Sequence, residues 1–201
     1  FKMNKIIECV PNFSEGRDFG KIAKIVGEIE KVKGVKLLNV ESDADYNRTV
    51  VTFAGKPEAV RDAAFYAIEM AAEVIDMSHH KGAHPRIGAT DVCPFVPVSN
   101  VTMNECVQIA RTLGKEVGEW LGIPVYLYGE AAILPERHIL PDIRKGEYEG
   151  LPEKLKDEKW RPDYGSKEFN DNVKRKGATV IGAREFLIAY NVNLDTQDIQ
   201  I

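Results

Sequence analysis

Between Lys5 and Val98 the hydrophobic pattern of the chain alternates between the strand and helix periods, and the order of that alternation leaves few folds open. Lys5-Ile-Ile-Glu-Cys-Val10 is a short β-branched run closed by Pro11. From Asp18 to Val32 the period is helical, with Ile22, Ile25, Val26 and Ile29 on one face and lysines on the other. Asp18 suits its N-cap and Gly34 its stop. Val35–Val40 and Thr49–Phe53 follow as strands, joined by a polar link and ended by Gly55. Pro57 opens a second helix that runs to about Asp76. Val60, Ala63, Ala64, Ala67, Ile68, Ala71, Val74 and Ile75 form its apolar face. Val92–Val98 is a fourth strand, placed at an edge or with irregular ends by Pro94 and Pro97. Strand, helix, strand, strand, helix, strand is the split βαβ order of ferredoxin-like folds. The expectation is an α/β (α+β) protein: a mixed sheet of about five or six strands with helices packed on it.

The second half is less regular. Thr102-Met-Asn-Glu105 reads as a capping box. The helix it opens buries Val107, Ala110, Leu113, Val117, Trp120 and Leu121, and Gly122 stops it. Pro124–Tyr128 is a fifth strand, and Pro135–Lys145 holds a short helix. From Gly146 to Lys176 Gly, Pro, Asp, Lys and aromatics mix without a period, which reads as a long irregular segment. Trp160, Tyr164 and Phe169 argue against plain disorder there, and packing on the body is the reading for Trp160. Residues 177–182 form a short strand or turn, and Phe186–Leu194 is a strongly apolar strand that starts another unit.

Composition excludes several classes. A formal charge of −4, with Lys and Arg spread along the chain, gives no reason to expect a nucleic-acid partner or a polybasic membrane anchor. No uncharged apolar run of about 20 residues exists, so no membrane span is expected. The N-terminus lacks the apolar core of a signal peptide. Cys9, Cys93 and Cys106 are odd in number and widely spaced, which suits buried free thiols in the cytoplasm.

Chemistry concentrates in Met77-Ser-His-His-Lys-Gly-Ala-His-Pro-Arg-Ile-Gly88, which holds three of the four histidines. Loop histidines are commonly just solvated. Three within six residues, beside Arg86 and between glycines, point instead to moving a proton and holding an anion. His79 or His80 with His84 has spacing that a metal could use on a helix, but Gly82 and Pro85 break that helix and no acidic residue lies between them. Acid–base work is the reading taken. Two other loops are candidates. Pro11-Asn-Phe-Ser-Glu-Gly16 is either a plain connection or an amide- or anion-holding loop at a strand end. The link Glu41–Arg48 is acidic, but it does not fit a calcium loop and is read as a solvated hairpin tip.

These motifs resemble a known family. Glu8-Cys-Val-Pro-Asn-Phe-Ser-Glu-Gly16, Asn47-Arg-Thr-Val50, the histidine loop from Ile75 to Gly88, Asp91-Val-Cys-Pro-Phe-Val-Pro97, Val125-Tyr-Leu-Tyr-Gly-Glu-Ala-Ala132 and residues 182–194 are similar to glutamate formiminotransferase, a domain fused to a cyclodeaminase in vertebrates. The resemblance implies transfer of a formimino group from N-formimino-L-glutamate to tetrahydrofolate in histidine breakdown. It implies a catalytic domain of two α/β halves with folate between them. This chain would be the N-terminal subdomain, 3–184, plus the first strand, 185–201, of a C-terminal subdomain that is otherwise missing. Tetrahydrofolate would be a co-substrate, with no metal and no tightly bound cofactor, and the protein a homodimer.

The resemblance also assigns residues. His84 would be the acid–base catalyst, with Glu41 as a carboxylate orienting its ring. Arg48 and Arg86 would clamp substrate carboxylates, and Asn12 would hold the amidine or pterin. Gly165, Ser166, Phe169 and Gly177 would lie near folate, beside extra residues around 170–176. Two rival classes remain open: a non-catalytic folate- or partner-binding module, and a metal-dependent hydrolase using His79, His80 and His84. Formyl transfer from formylglutamate would need a similar site.

Overall fold

The computed structural model describes residues 4–188. Seven strands form one mixed sheet: β1 (Ile6–Cys9), β2 (Asn12–Phe13), β3 (Val35–Asp43), β4 (Arg48–Gly55), β5 (Thr90–Ser99), β6 (Val125–Gly129) and β7 (Thr179–Ala183). β1 and β2 are two pieces of one path, broken at Val10-Pro11, and both lie antiparallel between β4 and β5. β3 pairs with β4 at the outside. The order β3, β4, β1/β2, β5 is the arrangement that the split βαβ order dictates. β7 then adds parallel to β5, and β6 parallel to β7.

Three helices cover one face: α1 (Phe19–Glu30), α2 (Pro57–Val74) and α3 (Met103–Leu121). Their local signals act as read. The Asp18 carboxylate accepts from the Gly20 and Lys21 N–H groups, Pro57 sits in the first turn of α2, and Thr102 and Glu105 form a reciprocal capping box. Gly122 ends α3 in the left-handed conformation. Ile25, Ile29, Ala67, Ile68 and Leu113 pack on Ile7, Phe53, Phe95 and Ile181 of the sheet. The small alanines let α2 approach the sheet closely. Cys9, Cys93 and Cys106 are free and buried. Among the described residues no helix is long and apolar enough to cross a membrane.

Four expectations are corrected. β5 is central, not an edge, although the alternative of irregular ends holds, with register shifts against β1 and β2 near both of its ends. Pro94 is tolerated there because it sits opposite the break between β1 and β2, where Val10 donates to its carbonyl (3.3 Å). The segment 146–176 is not irregular throughout. It holds α5 (Leu151–Lys156) and α6 (Asp171–Lys176), each six residues, too short to display a period. With α4 (Leu140–Arg144), these helices place Ile143, Leu151, Leu155 and Val173 over Val92, Tyr126 and Val180 on the opposite face of the sheet. Trp120 is 67% exposed and meets Phe65 edge-on at 5.4 Å. The buried stripe of α3 runs through Gly114 and Gly118, where Tyr164 and Gly165 lie close against the helix. Residues 184–188 are not in a strand, with Phe186, Leu187 and Ile188 exposed, and the rest of the expected run to Leu194 lies outside the described residues.

The segment after β6 is fastened by a buried ion pair. Arg137, 2% exposed, donates to Asp163 at 2.8 Å and to the Arg161 and Lys159 carbonyls, with its guanidinium 5.2 Å from the centre of the Tyr126 ring. Asp163 also accepts from the Leu127 N–H. Removing one partner would strand a buried charge. Arg137→Met should therefore cost about 3–5 kcal/mol in urea unfolding. The double change with Asp163→Asn should recover part of that. A loss within the range of an exposed pair, below about 1 kcal/mol, would contradict this account.

Candidate active site

Three loops meet at the end of the sheet where β4 and β5 begin. They are the 10–17 loop, the β3–β4 tip at 44–47, and the histidine loop. Residues 43–46 of the tip are exposed, as expected, but Asn47 at its end is clamped from both sides. Asn47, buried and left-handed (φ 49°), accepts from the Gly16 N–H at 2.8 Å through Oδ1 and donates to the Lys81 carbonyl at 3.0 Å. Its own carbonyl accepts from His80 Nε2 at 3.0 Å. Ala83 N–H donates to the Asp45 carbonyl. Such close approach needs glycine. A Cβ on Gly16 would lie 2.1 Å from the Asp43 carbonyl oxygen, and one on Gly82 would lie 2.2 Å from that of Tyr46.

The histidines divide by role. His79 is exposed, beside Asp76 and Ser78. His80 has both ring nitrogens engaged, since Nδ1 accepts from Arg86 Nε at 3.1 Å. It is held neutral, its pKa lowered mainly by burial. His84 is half-buried beside the Tyr46 ring, with centroids 5.9 Å apart. Its Nε2 accepts from Arg48 Nη1 at 2.5 Å, which leaves the proton on Nδ1. Burial, then the charges of Arg48 and Arg144, lower its pKa to about 4, opposed by a hydrogen bond to the Pro85 carbonyl.

The two expected arginine clamps differ. Arg86 is buried and saturated: Glu149 takes Nη1 and Nη2, Glu147 takes Nη1, and His80 takes Nε. It fastens the histidine loop to the 147–149 turn and has no free edge for a substrate. Arg48 has no acidic partner among the described residues; its guanidinium lies 5.4 Å from the centre of the Tyr46 ring. Together Ser14, Tyr46, Asn47, Arg48, His80, His84, Arg86 and Asp91 line a small, tightly filled pocket.

Glu41 does not join this pocket. It is exposed on β3, paired with Val50, and what holds the His84 ring is Arg48 with the Pro85 carbonyl. Asn12 lies on β2 between Val50 and Val92 and bonds the Val10 carbonyl. The other four expected residues do not line the pocket either. Gly165 (φ 81°) and Gly177 (φ 72°) meet backbone at Ile123 and at Ile87 and Gly88. The Ser166 hydroxyl bonds locally to residues 168 and 170, and Phe169 packs in the second core, 6.3 Å from Tyr148.

Two residues were missed. Asp91 is fully buried, accepts from the Ile87 N–H at 3.0 Å, and pairs with Arg144. Burial pushes its carboxyl up, opposed chiefly by Arg144. The sequence signal for Asp91 was a carboxylate opening an apolar strand. Arg144 carried none, because it reaches the site only through the fold of α4.

The geometry defines a class: an α/β domain whose sheet end holds a neutral histidine and an unmatched guanidinium in a pocket. Comparison with known proteins narrows it. Residues 6–184 match the formiminotransferase domain, N-terminal subdomain, and the chain belongs to that family. It is 47% identical over 199 residues to the glutamate formimidoyltransferase of Streptococcus pyogenes serotype M1, covering 99% of this chain and 66% of that one. It is 53% identical over 198 residues to that of Thermoplasma acidophilum, covering 98% and 64%. It is 54% identical over 192 residues to the formimidoyltransferase-cyclodeaminase of Mus musculus, covering 96% and 35%. The chain thus spans at most about two thirds of the length of these relatives.

The lowered histidines set a pH dependence. Unfolded, His80 and His84 take up protons near their ordinary pKa of 6.5; folded, His84 does so only near 4. Protons are then bound more by the unfolded state, so stability falls as pH drops from about 6.5 towards 4. Urea midpoints should decline between pH 7 and pH 5, and His84→Gln should flatten that slope. An unchanged slope in the variant would show that His84 titrates normally in the fold.

Proposed function

We propose that this chain is the N-terminal half of a glutamate formiminotransferase. It would move the formimino group of N-formimino-L-glutamate to tetrahydrofolate, with His84 as general acid and base. The observation that carries the reading is the neutral His84 imidazole, whose Nε2 points at the lone unmatched guanidinium of the pocket, that of Arg48. The N5 amine of tetrahydrofolate attacks the amidine carbon and gives its proton to His84. The bond from that carbon to the glutamate nitrogen breaks, and the same proton goes to the departing nitrogen. One imidazole serves both steps because it only lends its lone pair. Family membership supports transfer of a formimino group to folate in general.

Arg48 takes the substrate-carboxylate role in this reading, and Arg86 positions the loop. The stretch from residue 185 onward begins the second half, which the longer relatives contain and which would supply the other wall of the folate cleft. Folate contacts through Asn12, Gly165, Ser166, Phe169 and Gly177 rest on the resemblance alone. So do the homodimer and the cytoplasmic location, and no metal enters the reaction.

The test is formimino transfer from formiminoglutamate to tetrahydrofolate, followed by mass spectrometry, in the chain and in His84→Ala. Turnover should fall by about 10²–10⁴-fold in the variant. Undiminished turnover would remove His84 from the role. Tetrahydrofolate binding without turnover in either protein would favour the binding-module reading.

A further inference from the structure

Arg48 of β4 bonds His84 Nε2, and Asp91 of β5, which lines the same pocket, pairs with Arg144 of α4, whose charge is felt at the ring. The remaining polar neighbours are His80 and Arg86 of the same loop and Tyr46 and Asp43 of the hairpin. His80 is neutral and satisfied, and Arg86 is matched by Glu147 and Glu149. Asp43 accepts from the Tyr46 N–H and Asp91 pairs with Arg144, so among the described residues no carboxylate pairs with Arg48.

Both arginines have unused capacity. Arg144 Nε is buried and has no hydrogen-bond partner. An orphaned charged donor of this kind is costly unless something completes it. Arg48 meets only an imidazole nitrogen and an aromatic face. Its charge is disfavoured first by burial and then by Arg144. The pocket that Arg48, His84 and Asp91 line is filled by its side chains, with no part wide enough for a water molecule, and Arg144 is tied to it through its pair with Asp91. A ligand enters only by moving one of them, and Arg48, without an ion pair, is the one free to move.

We infer that Arg48 and Arg144 form a two-guanidinium seat for a substrate carboxylate, and that the carboxylate, on arrival, draws Arg48 off His84 Nε2 and unmasks the base. This rests on the transferase reading for the identity of the substrate, but not for the seat itself. A carboxylate is a stronger acceptor than a neutral imidazole, and it takes a guanidinium edge through two parallel bonds. Once seated, it offsets the charges of Arg48 and Arg144 that disfavour a protonated ring. His84 then becomes both accessible and more basic, nearer the range where one group can accept and return a proton at neutral pH. Arg48 thus binds the substrate carboxylate and, until that charge arrives, keeps the base masked.

The experiment is a histidine titration of the 201-residue chain by NMR, following the His84 Cε1–H signal, with glutarate as the probe. Without glutarate the midpoint should lie near 4, and saturating glutarate should raise it by one pH unit or more. In Arg48→Met the ligand-free midpoint should already be raised and should no longer respond. Arg144→Lys keeps a charge on Asp91 but loses the Nε donor, and it should bind glutarate at least tenfold more weakly with its amide spectrum intact. Glutarate that fails to bind, or binds without moving His84, overturns the seat. So does wild-type affinity in Arg144→Lys. The formimino-transfer assay separates the two readings. A glutarate response with no transfer leaves the seat standing and removes the reaction, whereas transfer without a glutarate response does the reverse.

Discussion

Asn47 is the point through which the site is assembled. One side chain and one carbonyl tie together the 10–17 loop, the β3–β4 tip and the histidine loop, at 2.8, 3.0 and 3.0 Å. These three stretches are distant in sequence, and none has internal structure enough to fix itself. Satisfying buried backbone groups leaves a single arrangement, because any other would orphan a donor or acceptor away from water. The left-handed conformation suits asparagine better than most non-glycine residues, and here the Asn47 side chain is held by bonds to the two neighbouring loops. Arg48, the next residue, inherits its direction from this clamp and meets His84.

Behind the clamp, the sheet supplies rigidity. Asn47 precedes β4, Arg48 opens it, and Asp91 lies within β5, both strands packed on α2 through Val51, Phe53 and Phe95. The opposite face is closed over β5, β7 and β6 by the short helices of the 140–176 segment. The same segment brings Arg144, Glu147 and Glu149 to the site. It fixes Arg86 and charges the pocket, while α1, α2 and α3 take no part in the chemistry. One face of the sheet builds the core and the loops at its end build the site, the usual division between scaffold and function.

Much of the fold was legible because it rests on local rules. Period, caps and stop glycines located α1, α2 and α3, and the order of strands implied the arrangement of the first four. What failed depended on partners. Pro94 looked like an edge residue until the break opposite it explained how a central strand could accept it. Trp120 looked buried because its spacing is apolar, but the glycines of α3 carry the contact. Short helices such as α5 and α6 were invisible, since six residues make less than two turns of pattern.

The site divides along the same line. The sequence by itself determined that three histidines gather in one loop, that His84 precedes a proline and an arginine there, and that Asn47 and Arg48 end a polar link just before a strand. It also determined the family, whose motifs are contiguous. Only the tertiary structure decided which arginine is free. Arg86 and Arg48 look alike in sequence, but two glutamates from the 147–149 turn pair with the first, and among the described residues no carboxylate pairs with the second. Only the tertiary structure admitted Arg144 and Asp91 and left Glu41 outside. The reason is physical. Periodicity and capping act within a few residues, whereas charge compensation and burial depend on groups brought together from anywhere in the chain.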